Sequence, residues 1–148
     1  MERTEPSWVL LQLGTNDLRI DSHATTTVQF RKNLEAILER VGRHRSRDGS
    51  LPRVILATIP PIPVEIRWRF DAGSRVRVEA EINPAIRDIA RRRGLILADN
   101  HALFAARPDL LLLDIHPSEE GYLVLAEAWH RILAPLVLSA AARKTGGQ

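Results

Sequence analysis

The sequence has no cysteine, which removes disulfides, thiolate nucleophiles and cysteine-ligated metals together. Aromatic residues fill only 5% of its 148 positions, and lysine occurs twice, at Lys32 and Lys144. No apolar stretch is read as approaching the roughly 20 residues that span a bilayer. The opening "MERTEPS" leads into a strand-like apolar run shorter than the core of a secretory signal. The chain as given is therefore expected in the cytoplasm, with no membrane partner. No linker and no internal repeat interrupts it, so residues 1–148 read as a single domain.

What is present is ordinary for a globular protein: 45% apolar and 26% charged residues. The net charge is +3, and nineteen of the twenty-one basic residues are arginine, scattered from Arg3 to Arg143. The densest run, Arg91-Arg92-Arg93, falls at an expected helix end, where cations complement the helix dipole. Neither it nor Arg43-His44-Arg45-Ser46-Arg47 is interleaved with aromatics, as a single-strand nucleic-acid binder would require. Both read as solvated helix ends, and no nucleic-acid partner is expected.

The periodicity alternates between strand and helix. Ser7 to Leu13 is short, continuous and apolar, the pattern of a strand buried in a parallel sheet. From Ala24 to Arg45, Leu34, Ile37, Leu38 and Val41 share one helical face. Arg53 to Thr58 is a second strand, stopped by the prolines of Ile59 to Pro63. Val64 to Ser74 is irregular. Arg75 to Arg93 is helical, and Pro84 either kinks it or starts a new helix capped by Asn83. Gly94 ends it; Leu95 to Asp99 is a third strand, and a short helix covers Ala102 to Ala106. The last helix runs from Ser118 to Ala142, bent at Pro135. Such alternation predicts an α/β fold with a parallel sheet and right-handed crossovers.

Open parallel sheets bind ligands beyond the carboxyl ends of their strands. One such end is Gly14-Thr15-Asn16-Asp17. An asparagine amide there can donate to an oxyanion, Gly14 permits close backbone approach, and Asp17 can hold the loop. The alternative is a plain Asx turn. The second stretch is Asp114-Ile115-His116-Pro117, where a histidine can act as general base and the neighbouring carboxylate can orient it. His23, His44, His101 and His130 are assigned no role. No compact set of histidines and carboxylates has ligand spacing, so neither a metal nor a cofactor is expected.

Taken together, "LLQLGTNDL", "VILATIPPIP" and "DIHPSEEGY" resemble the SGNH hydrolases, also called the GDSL esterase and lipase family. The resemblance covers roughly Trp8 to Ala134. Gly14, Asn16 and Asp17 match the family's Gly-x-Asn-Asp block, whose asparagine is an oxyanion-hole donor, and His116 matches its catalytic base. It implies a three-layer α/β/α flavodoxin-like fold acting on carboxylic esters, here reduced to about three core strands. Trp68 and Phe70, after the proline-rich loop, are candidates to line the substrate pocket.

Two features depart from the family. Its Gly-Asp-Ser nucleophile block precedes Gly-x-Asn-Asp, and the residues before Gly14 already form the strand leading to it. A nucleophile-less chain, a truncated form of the domain, is the expectation. Ser50 and Ser7 lie at the wrong ends of their strands, and a six-residue strand puts Ser50 roughly 20 Å from the oxyanion site. Ser118 suits a helix cap, and Ser74 is not placed. The family's acid also stands three residues before its histidine, where this chain has Leu113; Asp114 is one residue closer. The second reading is a catalytically silent relative that binds a ligand or protein. Loss of the first strands would leave Ser7 to Leu13 as an apolar sheet edge, predicting a homodimer, aggregation or a missing complementary segment.

Overall fold

The computed structural model describes residues 4–21, 25–63, 69–111 and 115–145. Three strands form one parallel sheet in the order β1-β2-β3: β1 Trp8–Leu11, β2 Arg53–Ala57 and β3 Ile96–Ala98. Trp8 pairs with Arg53 and Leu11 with Leu56, while Ile55 pairs with Ile96. The helices are α1 Thr27–Val41, α2 Ala72–Arg77, α3 Asn83–Arg93, α4 Asn100–Ala105 and α5 Glu119–Thr145.

The sheet is covered on both faces, which gives the three layers. On one side α1 contributes Phe30, Leu34 and Leu38, and α3 contributes Ile86 and Ile89, against Leu56 of β2. On the other, Trp129, Ile132, Leu133 and Leu136 of α5 pack over Ile55, Ala57 and Ala98. Covering both faces of β2 explains why its residues read as a continuous apolar run instead of alternating.

α1 starts later than its periodicity suggests, because the Thr26 hydroxyl accepts from the Gln29 N–H and caps it there. It ends at Val41, short of Arg45, and the chain then ties a polar knot in which Ser46 and Ser50 both donate to Asp48. The Arg91 to Arg93 run does sit at a helix end, where these arginines pair with Asp88 and Glu35.

Pro84 neither kinks a uniform helix nor follows an Asn83 cap. A π-helical turn, Val78–Ile82, joins α2 to α3, and the Asn83 N–H reaches the Val78 carbonyl. The wider turn absorbs a proline that has no N–H to give. The Asn83 side chain is used elsewhere, as described below. α4 begins at Asn100, earlier than expected, because the Asp99 carboxylate caps it through the Ala102 N–H.

One composition-based expectation is corrected. Glu119–Ala142 of α5, 24 residues long, contains an 18-residue window with a mean hydropathy of 1.4, long and apolar enough to cross a membrane. Part of that apolar character faces the sheet, but Leu123 and Leu138 remain about 70% exposed.

Candidate functional site

The tip of β1 is built by steric necessity. Gly14 is buried with φ +123°, and a Cβ there would stand 2.7 Å from Ile59 Cδ1 and 2.8 Å from Phe30 Cε2. Glycine is thus required for packing between β1, α1 and the exit of β2. The chain then turns tightly, the Asp17 N–H donating to the Gly14 carbonyl (3.0 Å), into a short 3-10 turn at Asn16–Leu18. Asp17 is the anchor of that turn. Its carboxylate accepts from the Thr25 hydroxyl (2.6 Å), and Arg77 donates to the carbonyls of Asp17 and Thr25. Asn16 is exposed, and among the described residues its side chain has no hydrogen bond to the local backbone, which leaves its amide available to a ligand.

The exit of β2 is fixed by Asn83, which is fully buried. Its side chain accepts from the Ile59 N–H (2.8 Å) and donates to the Ile59 carbonyl (2.9 Å). This pairing copies a strand partner where the prolines after Ile59 end the ladder. Beside it, the buried Thr58 hydroxyl donates to Asp99 (2.9 Å) and accepts from the His101 N–H (2.9 Å).

His116 arrives on a loop clamped at both ends. Leu111 and Pro117 form an antiparallel bridge, and the Ser118 N–H donates to the Leu110 carbonyl (2.8 Å). The Ser118 hydroxyl accepts from the Gly121 N–H, capping α5 as its position suggests. Gly121 lets that first turn press onto Leu110: a Cβ would lie 2.4 Å from the Leu110 carbonyl oxygen.

These three tips meet around one cavity of about 290 Å³ at the carboxyl end of the sheet, lined by Asn16, His116, Thr15, Gln12, Ile59 to Ile62 and Tyr122. Asn16 and His116, one hundred residues apart in sequence, therefore share a site. Its walls are polar at Asn16, Gln12 and His116 and apolar at the isoleucines and prolines, which suits a small ligand with one polar head. Gln12 and its partner Asn100 are the residues that sequence reasoning missed; Asn100 Nδ2 donates to Gln12 Oε1 at 2.6 Å.

Other candidates stand apart. Phe70 is buried in the core with Val78 and Ile82 and does not line the cavity. Trp68 and Asp114 lie outside the described residues, as does Leu113. Among the described residues no serine lines the cavity. Ser74 is buried, donating to the Leu18 carbonyl (2.7 Å) and closing a capping box with Asp71.

Two groups joined to Thr58, outside the cavity lining, have displaced titrations. Burial works to raise the Asp99 carboxyl, but donation from the Ala102 N–H, Thr58 and Arg87 outweighs it and holds Asp99 below the usual carboxylate range. Burial pushes the His101 imidazole down, Arg87 adds to this, and Glu79 and Asp99 oppose it; its buried Nε2 has no hydrogen-bond partner among the described residues.

The sequence profile of the GDSL-like lipase/acylhydrolase family matches residues 1–124. No curated protein matches the chain. Among solved structures, a GDSL-like lipase from Bacteroides thetaiotaomicron superposes with a TM-score of 0.71 at 18% identity, covering 88% of this chain and 63% of its own. A lipase/acylhydrolase from Enterococcus faecalis gives 0.66 at 22% identity, covering 87% and 60%. An acetylxylan esterase from Geobacillus stearothermophilus gives 0.66 at 18%, covering 86% and 59%. At these identities the likeness is one of fold, and the chain spans about three-fifths of the length of the structures it matches.

Proposed function

The chain belongs to the GDSL-like lipase/acylhydrolase family, and we propose that its cavity is the base-and-oxyanion part of a site that hydrolyses carboxylic esters. The observation that carries this reading is the convergence of Asn16 and His116 on one cavity at the strand ends. In the reaction, a serine hydroxyl attacks the acyl carbon and forms a new C–O bond. His116 takes the hydroxyl proton, and the carbonyl electron pair moves onto oxygen, where the Asn16 amide donates to it. Collapse of the adduct expels the alcohol, which leaves with the proton from His116; water then releases the acid by the same steps. The cavity volume fits a small acyl group such as acetyl. The nucleophile is supplied from outside the described residues of this chain.

A second reading has one observation in its favour, the lack of a serine among the described residues at the cavity. In it the same cavity binds acyl compounds without cleaving them.

Fluorophosphonate labelling, read by intact mass and peptide mapping with a His116→Ala control, separates the cases. It is paired with titration of acetate against the isotopically labelled chain. The proposal expects no stoichiometric adduct on the chain alone, together with acetate-induced shifts at the Asn16 side-chain amide and at His116 that Asn16→Ala abolishes. One labelled serine, lost in the control, would show that the chain carries its own nucleophile. Absence of both adduct and shifts would overturn the hydrolase site.

A further inference from the structure

We infer that Arg77, the last residue of α2, is a positioning residue for the site: it clamps the turn that carries Asn16, so that the Asn16 amide meets a ligand oxygen already in place. The inference rests on the hydrolase reading for what that amide does, and on the bonds around the turn for how it is held.

The 3-10 turn Asn16–Leu18 has all three of its carbonyls engaged. The Asn16 carbonyl accepts locally, from the Arg19 N–H (3.3 Å). The other two are taken by α2. Ser74 Oγ donates to the Leu18 carbonyl (2.7 Å), and Arg77 Nη1 donates to the Asp17 carbonyl (3.3 Å). Arg77 Nη2 reaches on to the Thr25 carbonyl (2.7 Å), so one guanidinium bridges two carbonyls eight positions apart in sequence. Thr25 closes the same neck from its own side. It gives its N–H to the Asp17 carbonyl (3.3 Å) and its hydroxyl to the Asp17 carboxylate (2.6 Å).

Arginine suits this place for its shape. Its third nitrogen, Nε, contacts Glu81 at 3.4 Å, but that carboxylate is 44% exposed, and such a pair contributes little. The two carbonyls are therefore what the planar fork serves, and a lysine carries the charge without the fork. Arg77 does not line the cavity, whereas Asn16 does. It acts through the Asp17 carbonyl, one residue along from the amide donor. On the other side of Asn16 the chain is fixed by Gly14, whose carbonyl accepts from the Asp17 N–H. A donor held before the ligand arrives has no reorganisation left to make when charge develops. Displacing such a group by about 1 Å costs on the order of a hundredfold in rate.

The test uses the full chain with Arg77→Met, which removes the fork and keeps an apolar stem, and Arg77→Lys, which keeps the charge. Backbone amide relaxation of the ligand-free chain reads the turn, and acetate titration reads the site. In the unaltered chain Asn16 to Leu18 should have order parameters of rigid backbone, about 0.85. In both variants these should fall towards about 0.6 while β1 and β2 keep theirs. The acetate dissociation constant should rise at least tenfold, and at saturation the shift at the Asn16 amide should be lost while that at His116 remains. Should Arg77→Met fail to fold, Arg77→Lys decides. Unchanged order at the turn would overturn the inference. So would a loss of order shared equally by β1 and α1, or a lysine variant that behaves as the unaltered chain. Absence of acetate shifts in the unaltered chain would instead sink the hydrolase reading, while the ligand-free order parameters still decide whether Arg77 holds the turn.

Discussion

Asn100 gives its side-chain amide to Gln12 across 2.6 Å, bonding the start of α4 to the end of β1 over 88 positions of sequence. Asn100 is 2% exposed, whereas Gln12 reaches the cavity. Gln12→Leu leaves a buried donor without a partner and should cost about 1–3 kcal/mol in urea denaturation at fixed protein concentration. Replacing both residues by leucine should cost less than the sum of the two single changes, since no orphan group remains.

Asn83 serves the N–H and the carbonyl of one residue, Ile59. No other side chain of its size offers both an acceptor and a donor at that spacing. Asn83→Leu should destabilise by on the order of 2–5 kcal/mol, because two buried backbone groups lose partners. Asn83→Asp keeps only the acceptor, and its charged oxygen faces the Ile59 carbonyl. It should be no better, and its deficit should shrink on acidification, as protonation restores a donor.

The sheet, its parallel sense and the three strands were legible because Trp8 to Leu11, Arg53 to Ala57 and Ile96 to Ala98 are apolar runs bounded by polar or breaking residues. Asn16 was legible as a residue at the carboxyl end of that sheet, whereas His116 was joined to it only through the family resemblance, since its loop follows no strand visible in the sequence. Other features were not. Asn83 before Pro84 carries the signature of a cap, and nothing local shows that Ile59, 24 positions away, competes for its side chain. Phe70 lies in a stretch without periodicity, so its burial depends on α2 and α3 closing over it. The Gln12–Asn100 bond is a pairing of two polar residues in different elements, invisible to any window along the chain.

His101 predicts a pH dependence. Burial and Arg87 depress its folded-state pKa, while the unfolded chain ionises at about 6.5. Above about pH 6.5 the imidazole is neutral in both states and stability is at its full value. As pH falls through that point and on towards the folded pKa, the unfolded state binds the proton preferentially and stability is lost. Urea denaturation between pH 8 and pH 5 (a range of about three units around the histidine value) should show this decline. In His101→Leu it should be reduced, since that site no longer takes up a proton.

Gly14→Ala tests whether the glycine of the Gly-x-Asn-Asp motif is needed for shape or for chemistry. The φ of +123° is strained for any other residue, and the new methyl would lie within 2.8 Å of both Ile59 and Phe30. Overpacking plus backbone strain should cost about 2–4 kcal/mol. Ile59→Val in the same chain should return part of this by opening space, but not all, because the backbone strain is unchanged. A Gly14→Ala variant with native stability would mean that the tip can rearrange at little cost.

Gly121→Ala separates the site from the fold. The added Cβ would meet the Leu110 carbonyl oxygen at 2.4 Å and Pro117 Cβ at 2.9 Å, so the first turn of α5 has to move away from the loop that carries His116. Alanine is otherwise the better helix former, and the rest of α5 is held on the sheet by Trp129, Leu133 and Leu136. Helix content should therefore be kept while the Ser118 N–H to Leu110 bond is stretched and the cavity opens. The measurement is circular dichroism beside acetate titration: an unchanged helical signal with acetate affinity lowered at least tenfold is the expected outcome. Unchanged affinity would show that the His116 loop keeps its place without the Gly121 contact, leaving the Leu111–Pro117 bridge as its determinant.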